Sequence, residues 1–510
     1  MALERSIKMD MGTSEGGLEQ QGGLIETDGR GGGGGGPWLI DVEYYVPALE
    51  IGRHGRQFEV LAWPAGGKLS GLVLDLDKCL YGREKGQEYL RAGSAGEIEA
   101  IAAGLSVSAE EAYQIVGNKR HELELKRGGK TTLTETVLSL GFSPEWWNRV
   151  RNDCYAPENF LEADPELATA LVRVGEHYRV AIASNSPHDV VRRALLQLGL
   201  NEELIRQIHV FGSDDLGVGK PDPTFYWRVA ENMGLSPKEC LSVGDRVEAD
   251  GIPALQAEMG AAIVSGPEGV KDLVNDYLMH NGGVLAKEFD LSDYLRQVYE
   301  PGKVKVIGLT GRAGAGKTTR AKEMAIISEE MGIPVVRLGL DTFFKTSSRA
   351  RKAWLEEEGI PDEERARRED QDNWWDFERA KQALGVLKSR RRLVMNGVYN
   401  RNDRGELTAT VDIDPDPEKG LIVVFEGVGI SHLSDMLDDV LFIAAHPNER
   451  RDRLLGRDAD KRVGDAAKKR FRITQTYEAK HFAANGGRVT RVLENSSGNL
   501  MELPTAFPFV

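Results

Sequence analysis

Short unbroken apolar runs, rich in Val, Ile and Leu, recur along the 510-residue chain and leave it few ways to fold. Between residues 72 and 266 they read LVLDLD, RVAIAS, IHVFGS, CLSVGD and AAIVSG, separated by stretches of helical pattern. A strand with one wet face alternates polar and apolar residues, whereas a strand that is apolar throughout is covered on both faces. The pattern therefore implies a parallel sheet with crossover helices. A second set begins at Val304 and reads VKVIGLT, PVVRLGL, LIVVFEG and DVLFIAA. The expected fold class is α/β, with two doubly wound parallel-sheet domains; the length is too great for one ordinary core.

Boundaries follow from composition. Residues 1–37 end in six glycines and Pro37 and have too little apolar surface to offset their ordering entropy, so a disordered tail is expected. WLIDVEYYV and RQFEVLAWP read as two short strands without an assignable function. The first domain is expected over 38–280. About 100 residues part its first two strands, far more than one crossover needs, so 81–163 should be an inserted helical module. Residues 281–302 carry Gly, Pro and one amphipathic piece, LSDYLRQVYE, and read as a linker to a second domain over 303–510.

Lys plus Arg number 65 and Asp plus Glu 80, a net charge of −15, which weighs against a general nucleic-acid coat. Cys79, Cys154 and Cys240 are scattered and form no CxxC pair, which points to a reducing, cytoplasmic setting. No apolar run reaches the length of about 18 residues that a membrane span needs, and the N-terminus lacks the pattern of a secretory signal.

The motif DLDKC puts Asp75 and Asp77 two residues apart at the end of a buried strand. Side chains at i and i+2 share a strand face, so both can point into one site. A turn, or a metal site of another kind, would also use this spacing. Three pieces follow in order: Ser184 ends a strand in VAIASNSP, Lys220 precedes Pro221 in GVGKPDPTFY, and LSVGDRVEAD ends a strand at Asp245 with Asp250 five residues on. Taken alone, Ser184 reads as a helix cap and Lys220 as a solvated lysine. Together the pieces resemble the haloacid dehalogenase superfamily of phosphatases, over about 200 residues.

That resemblance implies a Rossmann-like fold and a role for each residue. Asp75 would be the nucleophile that forms an aspartyl-phosphate, and Asp77 the group that protonates the leaving oxygen and then activates water. Ser184 and Lys220 would hold the transferring phosphoryl group. Asp75, Asp245 and the backbone carbonyl of Asp77 would bind Mg²⁺, with Asp250 in support. Cys79 stands where the family usually has Thr or Val. The helical module falls where this superfamily places its type 1 cap, and KTTLTETVLSLGF with DPELATALVRV resembles the branch of pyrimidine 5′-nucleotidases and phosphoglycolate phosphatases. Trp146 and Trp147 in that module would serve either to stack a base or as core.

The second half opens with GRAGAGKT after a predicted strand, the context that the phosphate-loop motif G-x-x-x-x-G-K-[ST] requires. Gly311, Gly314 and Gly316 let backbone N–H groups turn toward phosphates, and the next helix presents its positive end. Lys317 would reach the β- and γ-phosphates of ATP, Thr318 would bind Mg²⁺, and Thr319 follows on the same turn. Further on, Asp341 ends a strand before two aromatics, Glu426 ends another, and RDRLLGRDADKR puts Arg453, Arg457 and Arg462 on or beside one helix. This set resembles the uridine kinase and phosphoribulokinase group of P-loop kinases. It implies Asp341 as the base for the substrate hydroxyl, Glu426 as support for Mg²⁺, and the arginines as a lid in which Arg457 acts on the phosphates. On their own these residues also read as a helix cap, a turn residue and a solvated face. Tyr399 in NGVYNRNDRGE and the segment DNWWDFERA match the group's acceptor region, but the His expected after Tyr399 is absent, so a sugar or other small alcohol stands beside uracil nucleosides as acceptor.

Three functions compete at this level. One is a bifunctional enzyme that dephosphorylates a small phosphate ester and phosphorylates a small nucleoside- or sugar-like alcohol, with Mg²⁺ and ATP. The second is a polynucleotide end-processing kinase and phosphatase, disfavoured by the expected cap and by the lack of a basic-aromatic track. The third is a regulatory protein with one inactive domain, disfavoured by two complete residue sets.

Overall fold

The computed structural model describes residues 57–127, 131–279, 287–457, 465–485 and 488–503. The glycine-rich tail and WLIDVEYYV lie outside the described residues. The first sheet is built from β1 (Phe58–Ala62), β2 (Gly71–Leu74), β3 (Arg179–Ala183), β4 (His209–Phe211), β5 (Cys240–Gly244) and β6 (Gly260–Val264). Its order is β1-β6-β5-β2-β3-β4. Five strands run parallel, as the apolar runs predict, but β1 pairs antiparallel with β6, so the sheet is mixed. Burial along β1 alternates, the signature of an edge strand with one less covered face.

Between β2 and β3 the chain forms the helices Arg83–Leu105, Ala109–Arg127, Leu133–Ser139 and Pro144–Cys154. They carry their own small core of Ile101, Ala102, Ala112, Val116, Val137 and Trp147. The N-caps are written in the sequence: Thr132 and Glu135 form a capping box, and Ser143 accepts from the Trp146 N–H before Pro144.

The second half contributes β7 (Lys287–Glu288), β8 (Val304–Thr310), β9 (Val335–Gly339), β10 (Leu393–Asn400), β11 (Glu406–Ile413), β12 (Leu421–Glu426), β13 (Asp439–Ala444), β14 (Arg491–Glu494) and β15 (Met501–Leu503). β10 and β11 form a separate antiparallel hairpin. The rest make a sheet in the order β7-β15-β14-β13-β8-β12-β9, parallel from β14 to β9 and antiparallel at β15 and β7. Successive residues of β12 point to opposite faces. Val423 and Phe425 join helix Phe377–Lys388 on one side, and Ile422 and Val424 join helix Lys317–Glu330 on the other.

One expectation changes here. The linker expected over 281–302 is in part structure of the second half: β7 pairs with β15, and Leu291, Tyr294 and Leu295 of helix Leu291–Val298 are buried against Ile307 and Leu309. The halves also meet closely, which a linker alone does not require. His446 Nε2 lies 3.0 Å from the Met259 carbonyl, and Asn448 Nδ2 donates to the Leu255 carbonyl at 2.9 Å. Burial pushes His446 down to about 4. The ring is therefore neutral, with its proton on Nε2, because a carbonyl can only accept. Among the described residues, no helix is long and apolar enough to cross a membrane.

Candidate active sites

The strand ends of the first sheet bring Asp75, Lys220 and Asp250 together. Lys220 Nζ donates to Asp75 Oδ1 and to Asp250 Oδ1, each at 2.7 Å. Lys220 and Asp75 are both 3% exposed and Asp250 1%, and burying such charges costs several kcal/mol per ion unless they are paired. Burial alone would lower Lys220, but the carboxylates of Asp250 and Asp75 outweigh it and hold the ammonium well above its usual value. Burial raises Asp75 above the ordinary carboxylate range, with Lys220 opposing. Tyr226 supports the network by placing its hydroxyl 3.2 Å from Asp250 Oδ1. Gly244 at the end of β5 is required for this packing: a Cβ there would lie 2.3 Å from Asp250 Cγ.

Asp77 sits beside this cluster. The Tyr81 hydroxyl donates to its Oδ1 at 2.6 Å, and the Ser184 and Ser186 hydroxyls lie 3.4 and 3.5 Å from Oδ2. Lys78 takes left-handed backbone (φ 61°), which costs a non-glycine residue about 1–2 kcal/mol and turns the chain sharply after Asp77. Asp245 Oδ1 is buried 3.5 Å from Arg246 Nε but has no hydrogen bond, and Asp75 Oδ2 has none either. Carboxylate oxygens of Asp75, Asp245 and Asp250 lie within 4.8 Å of one another. Oxygen donors with unsatisfied lone pairs at this spacing fit a hard cation such as Mg²⁺.

The helical insert reaches this site through Arg151, whose Nη1 donates to the Asn185 carbonyl at 2.8 Å and to Ser213 Oγ at 3.0 Å. Glu97 neutralises it, 3.2 Å from Nε. Trp147 is core: it is fully buried and bonds Thr134 Oγ1 at 3.1 Å. Trp146 stacks on Phe142, with centroids 4.2 Å apart.

In the second half, β8 leads through Gly311, Gly314 and Gly316, all at positive φ, into helix Lys317–Glu330. A Cβ on Gly314 would lie 2.5 Å from the Arg450 carbonyl, so packing as well as backbone conformation demands glycine. Lys317 Nζ curls back to the carbonyls of Gly311 (2.7 Å) and Arg312 (3.0 Å). Burial lowers Lys317, while Glu478, Glu426 and Asp341 oppose that shift. Thr318 Oγ1 donates to Glu426 Oε2 at 2.7 Å. Asp341 is the second residue of the short turn Leu340–Phe343, just past the end of β9 at Gly339 rather than on the strand. Thr319 continues the helix and is exposed.

The arginine set is only partly brought together. Arg453 Nη2 donates to the Asn495 carbonyl at 2.7 Å, beside the phosphate loop. Arg457 is the last residue of helix Pro447–Arg457, and Arg462 lies outside the described residues. Tyr399 bonds Ser348 and packs edge-on against Phe344, with centroids 4.9 Å apart.

Sequence reasoning missed several neighbours. Tyr81, Ser186 and Arg246 stand within a few residues of motif positions and carry some local signal. Glu478 has none: it lies on helix Asp465–Asn485, yet its Oε1 accepts from the Ala313 N–H of the phosphate loop at 2.6 Å. Its Oε2 is buried without a hydrogen bond, 4.0 Å from Arg450 Nη1.

Residues 69–258 match the family model of the haloacid dehalogenase-like hydrolases. A glyceraldehyde 3-phosphate phosphatase of Methanocaldococcus jannaschii is 28% identical over 213 residues, 38% of this chain and 82% of the relative. A protein of the same name from Methanothermobacter thermautotrophicus is 24% identical over 226 residues, 42% of this chain and 92% of the relative. Among solved structures, a 2-haloacid dehalogenase from Pseudomonas syringae has 18% identity and a TM-score of 0.25, covering 38% of this chain and 85% of its own. A candidate fructose transport system kinase from Silicibacter has 19% identity and a TM-score of 0.30, covering 39% of this chain and 95% of its own. Residues 69–258 are thus a haloacid dehalogenase-like hydrolase domain. At such TM-scores the structural likenesses decide nothing about function.

Proposed function

We propose that the chain is a bifunctional phosphate-transfer enzyme. The first half hydrolyses a small phosphomonoester, and the second transfers the γ-phosphoryl of ATP to a hydroxyl of a small nucleoside- or sugar-like metabolite. The observation that carries the first activity is the buried Lys220 held between Asp75 and Asp250, with Asp77 alongside. Asp75 attacks phosphorus, forming an aspartyl-phosphate as the ester bond breaks; Asp77 gives its proton to the leaving oxygen. Asp77 then takes a proton from water, whose oxygen attacks phosphorus and releases phosphate from Asp75. Ser184 and Lys220 hold the phosphoryl oxygens. Asp75, Asp245 and Asp250, with the Asp77 carbonyl, would hold Mg²⁺, which when bound offsets charge on the phosphoryl group. The named relatives act on a small phosphate ester, which favours that substrate class.

For the second activity the support is the phosphate loop with Thr318 bonded to Glu426 and Asp341 at the neighbouring strand end. Lys317 and the loop N–H groups would bind the ATP phosphates, Thr318 and Glu426 would hold Mg²⁺, and Asp341 would take the proton of the acceptor hydroxyl. Arg453, Arg457 and Arg462 would close over the phosphates.

The test is a panel of phosphate esters and hydroxyl acceptors on the full chain, beside Asp75→Asn and Lys317→Ala. Asp75→Asn should remove hydrolysis and spare the kinase. Lys317→Ala should cost the kinase about a hundredfold and spare hydrolysis. Free sugars and nucleosides should outcompete 5′-hydroxyl oligonucleotides; preferential labelling of the oligonucleotides would overturn the small-molecule reading.

A further inference from the structure

In the second half, three elements bring two imidazoles and a carboxylate to one point. Asp372 lies in the turn Gln371–Asn373, His432 in Gly429–Met436 after β12, and His481 on helix Asp465–Asn485. One ligand atom from each lies within 4.8 Å of the others. His432 Nε2 is 2.9 Å from Asp372 Oδ1, and the Tyr477 hydroxyl donates to the same oxygen at 2.6 Å. The mechanism proposed above gives none of these groups a step, although Asp372 opens the segment DNWWDFERA that resembles the kinase group's acceptor region.

His481 is the informative member. It is 3% exposed, and its Nε2 has no hydrogen-bond partner. Tyr477 has committed its proton to Asp372, so its oxygen can only accept from His481 Nδ1, 3.4 Å away. That puts the ring proton on Nδ1 and leaves Nε2 a bare lone pair in a buried position. A buried acceptor without a donor is costly, and such groups call for an unseen partner. His432 and Asp372 are each about a third exposed (side chains 33% and 36%), so an ion has a way in.

We propose that Asp372, His432 and His481 bind one divalent transition-metal ion of the zinc type. Two imidazoles and a carboxylate suit zinc and its neighbours, whereas Mg²⁺ prefers all-oxygen octahedra. With Zn–N and Zn–O bonds of about 2.0–2.2 Å, ligand atoms of a tetrahedral site lie about 3.3 Å apart, so sub-ångström to ångström side-chain shifts close this set. The cation replaces the proton now shared between His432 and Asp372, and Tyr477 remains as the hydrogen-bonding support that orients the carboxylate. Ligation ties helix Asp465–Asn485, which also carries Glu478, to the loop that follows Glu426.

The test is Co²⁺ titration of the metal-stripped full chain, read by visible absorption, followed by displacement with Zn²⁺. An imidazole-bound centre of low coordination number gives d–d bands far stronger than an all-oxygen site such as Asp75, Asp245 and Asp250. One equivalent of intense absorption is expected, displaced by one equivalent of Zn²⁺ and untouched by millimolar Mg²⁺. His432→Gln and Asp372→Ala should weaken it at least a hundredfold while leaving phosphate-ester hydrolysis in the other half and the circular dichroism of the metal-free full chain unchanged, the latter reporting an intact fold. Absence of the intense bands in the unmodified protein, or the same bands in both variants, overturns the site. So does a rise in acceptor KM in the variants with no metal bound, which would make these groups acceptor-binding residues instead.

Discussion

At the scale of single residues, Glu494 is the clearest case of a buried charge held at a cost. It ends β14, accepts from the Ser496 N–H at 2.9 Å and from the Ser496 hydroxyl, and leaves Oε2 buried without a partner. Burial pushes it up to about 7 from an ordinary value near 4.5. The folded state therefore holds a proton that the unfolded state releases, and stability from this group falls as pH rises from about 4.5 to about 7. Glu494→Gln keeps the acceptor and removes the charge. Relative to the unmodified protein it should be neutral at pH 4.5 and more stable at pH 8, by at most roughly 3 kcal/mol at 1.36 kcal/mol per pKa unit. Denaturant unfolding at the two pH values decides it; an equal offset at both would show that the carboxyl is not protonated in the fold. Asp341→Asn belongs at the same scale. It should retain binding of an ATP analogue, since Lys317 and Thr318 are untouched, yet lose transfer to small alcohols; retained transfer would remove Asp341 as the base. Of the residues that were legible in the sequence, Asp75, Asp77, Ser184 and Asp245 stand at or just past strand ends, where an apolar run stops and a polar residue shows, while Lys220 lies in the segment between β4 and helix Pro223–Asn232 and Asp250 in the turn Val247–Gly251. Tyr81 and Tyr226 were not legible, because a tyrosine beside a motif reads as core until its hydroxyl is placed.

At the scale of elements, the phosphate loop and helix Asp465–Asn485 are coupled. Glu478 sets a carboxylate on the Ala313 N–H, a donor that in this motif serves phosphate oxygens. Nucleotide and carboxylate compete for that position. Glu478→Gln removes the repulsion and should tighten ATP-analogue binding about tenfold, or about 1.4 kcal/mol. Calorimetric titration checks this, and an unchanged affinity would mean that the side chain leaves the loop freely. Elements were legible where they were apolar. β2, β5, β8 and β12 are runs covered on both faces, so their patterns announce them. β7 is two charged residues, Lys287 and Glu288, that pair only because β15 offers an edge, and no local pattern encodes that. Helix Leu291–Val298 was visible as amphipathic, but the face it covers belongs to residues beyond it in sequence.

At the scale of the whole molecule, the halves are joined by more than a connection. His446 and Asn448 bond backbone carbonyls of Met259 and Leu255, and a Cβ on Gly67 would lie 3.1 Å from Ser497 Oγ. A cut anywhere in 281–286 leaves each sheet whole, so two soluble fragments are expected. Each should unfold at lower denaturant than in the intact chain, since each lost hydrogen bond is worth about 0.5–1.5 kcal/mol. Fragments with the stability of the intact chain would show the contacts to be energetically empty, and insoluble fragments would show that neither core stands alone.

The seam at His446 also bears on traffic through the proposed enzyme. Two catalysts made as one chain and sealed against each other are synthesised and destroyed together, in a ratio of one to one at every expression level. No change in dosage can then alter the ratio of the two proposed activities. The balance between them is left to the occupancy of the two sites, and hence to the supply of each metabolite.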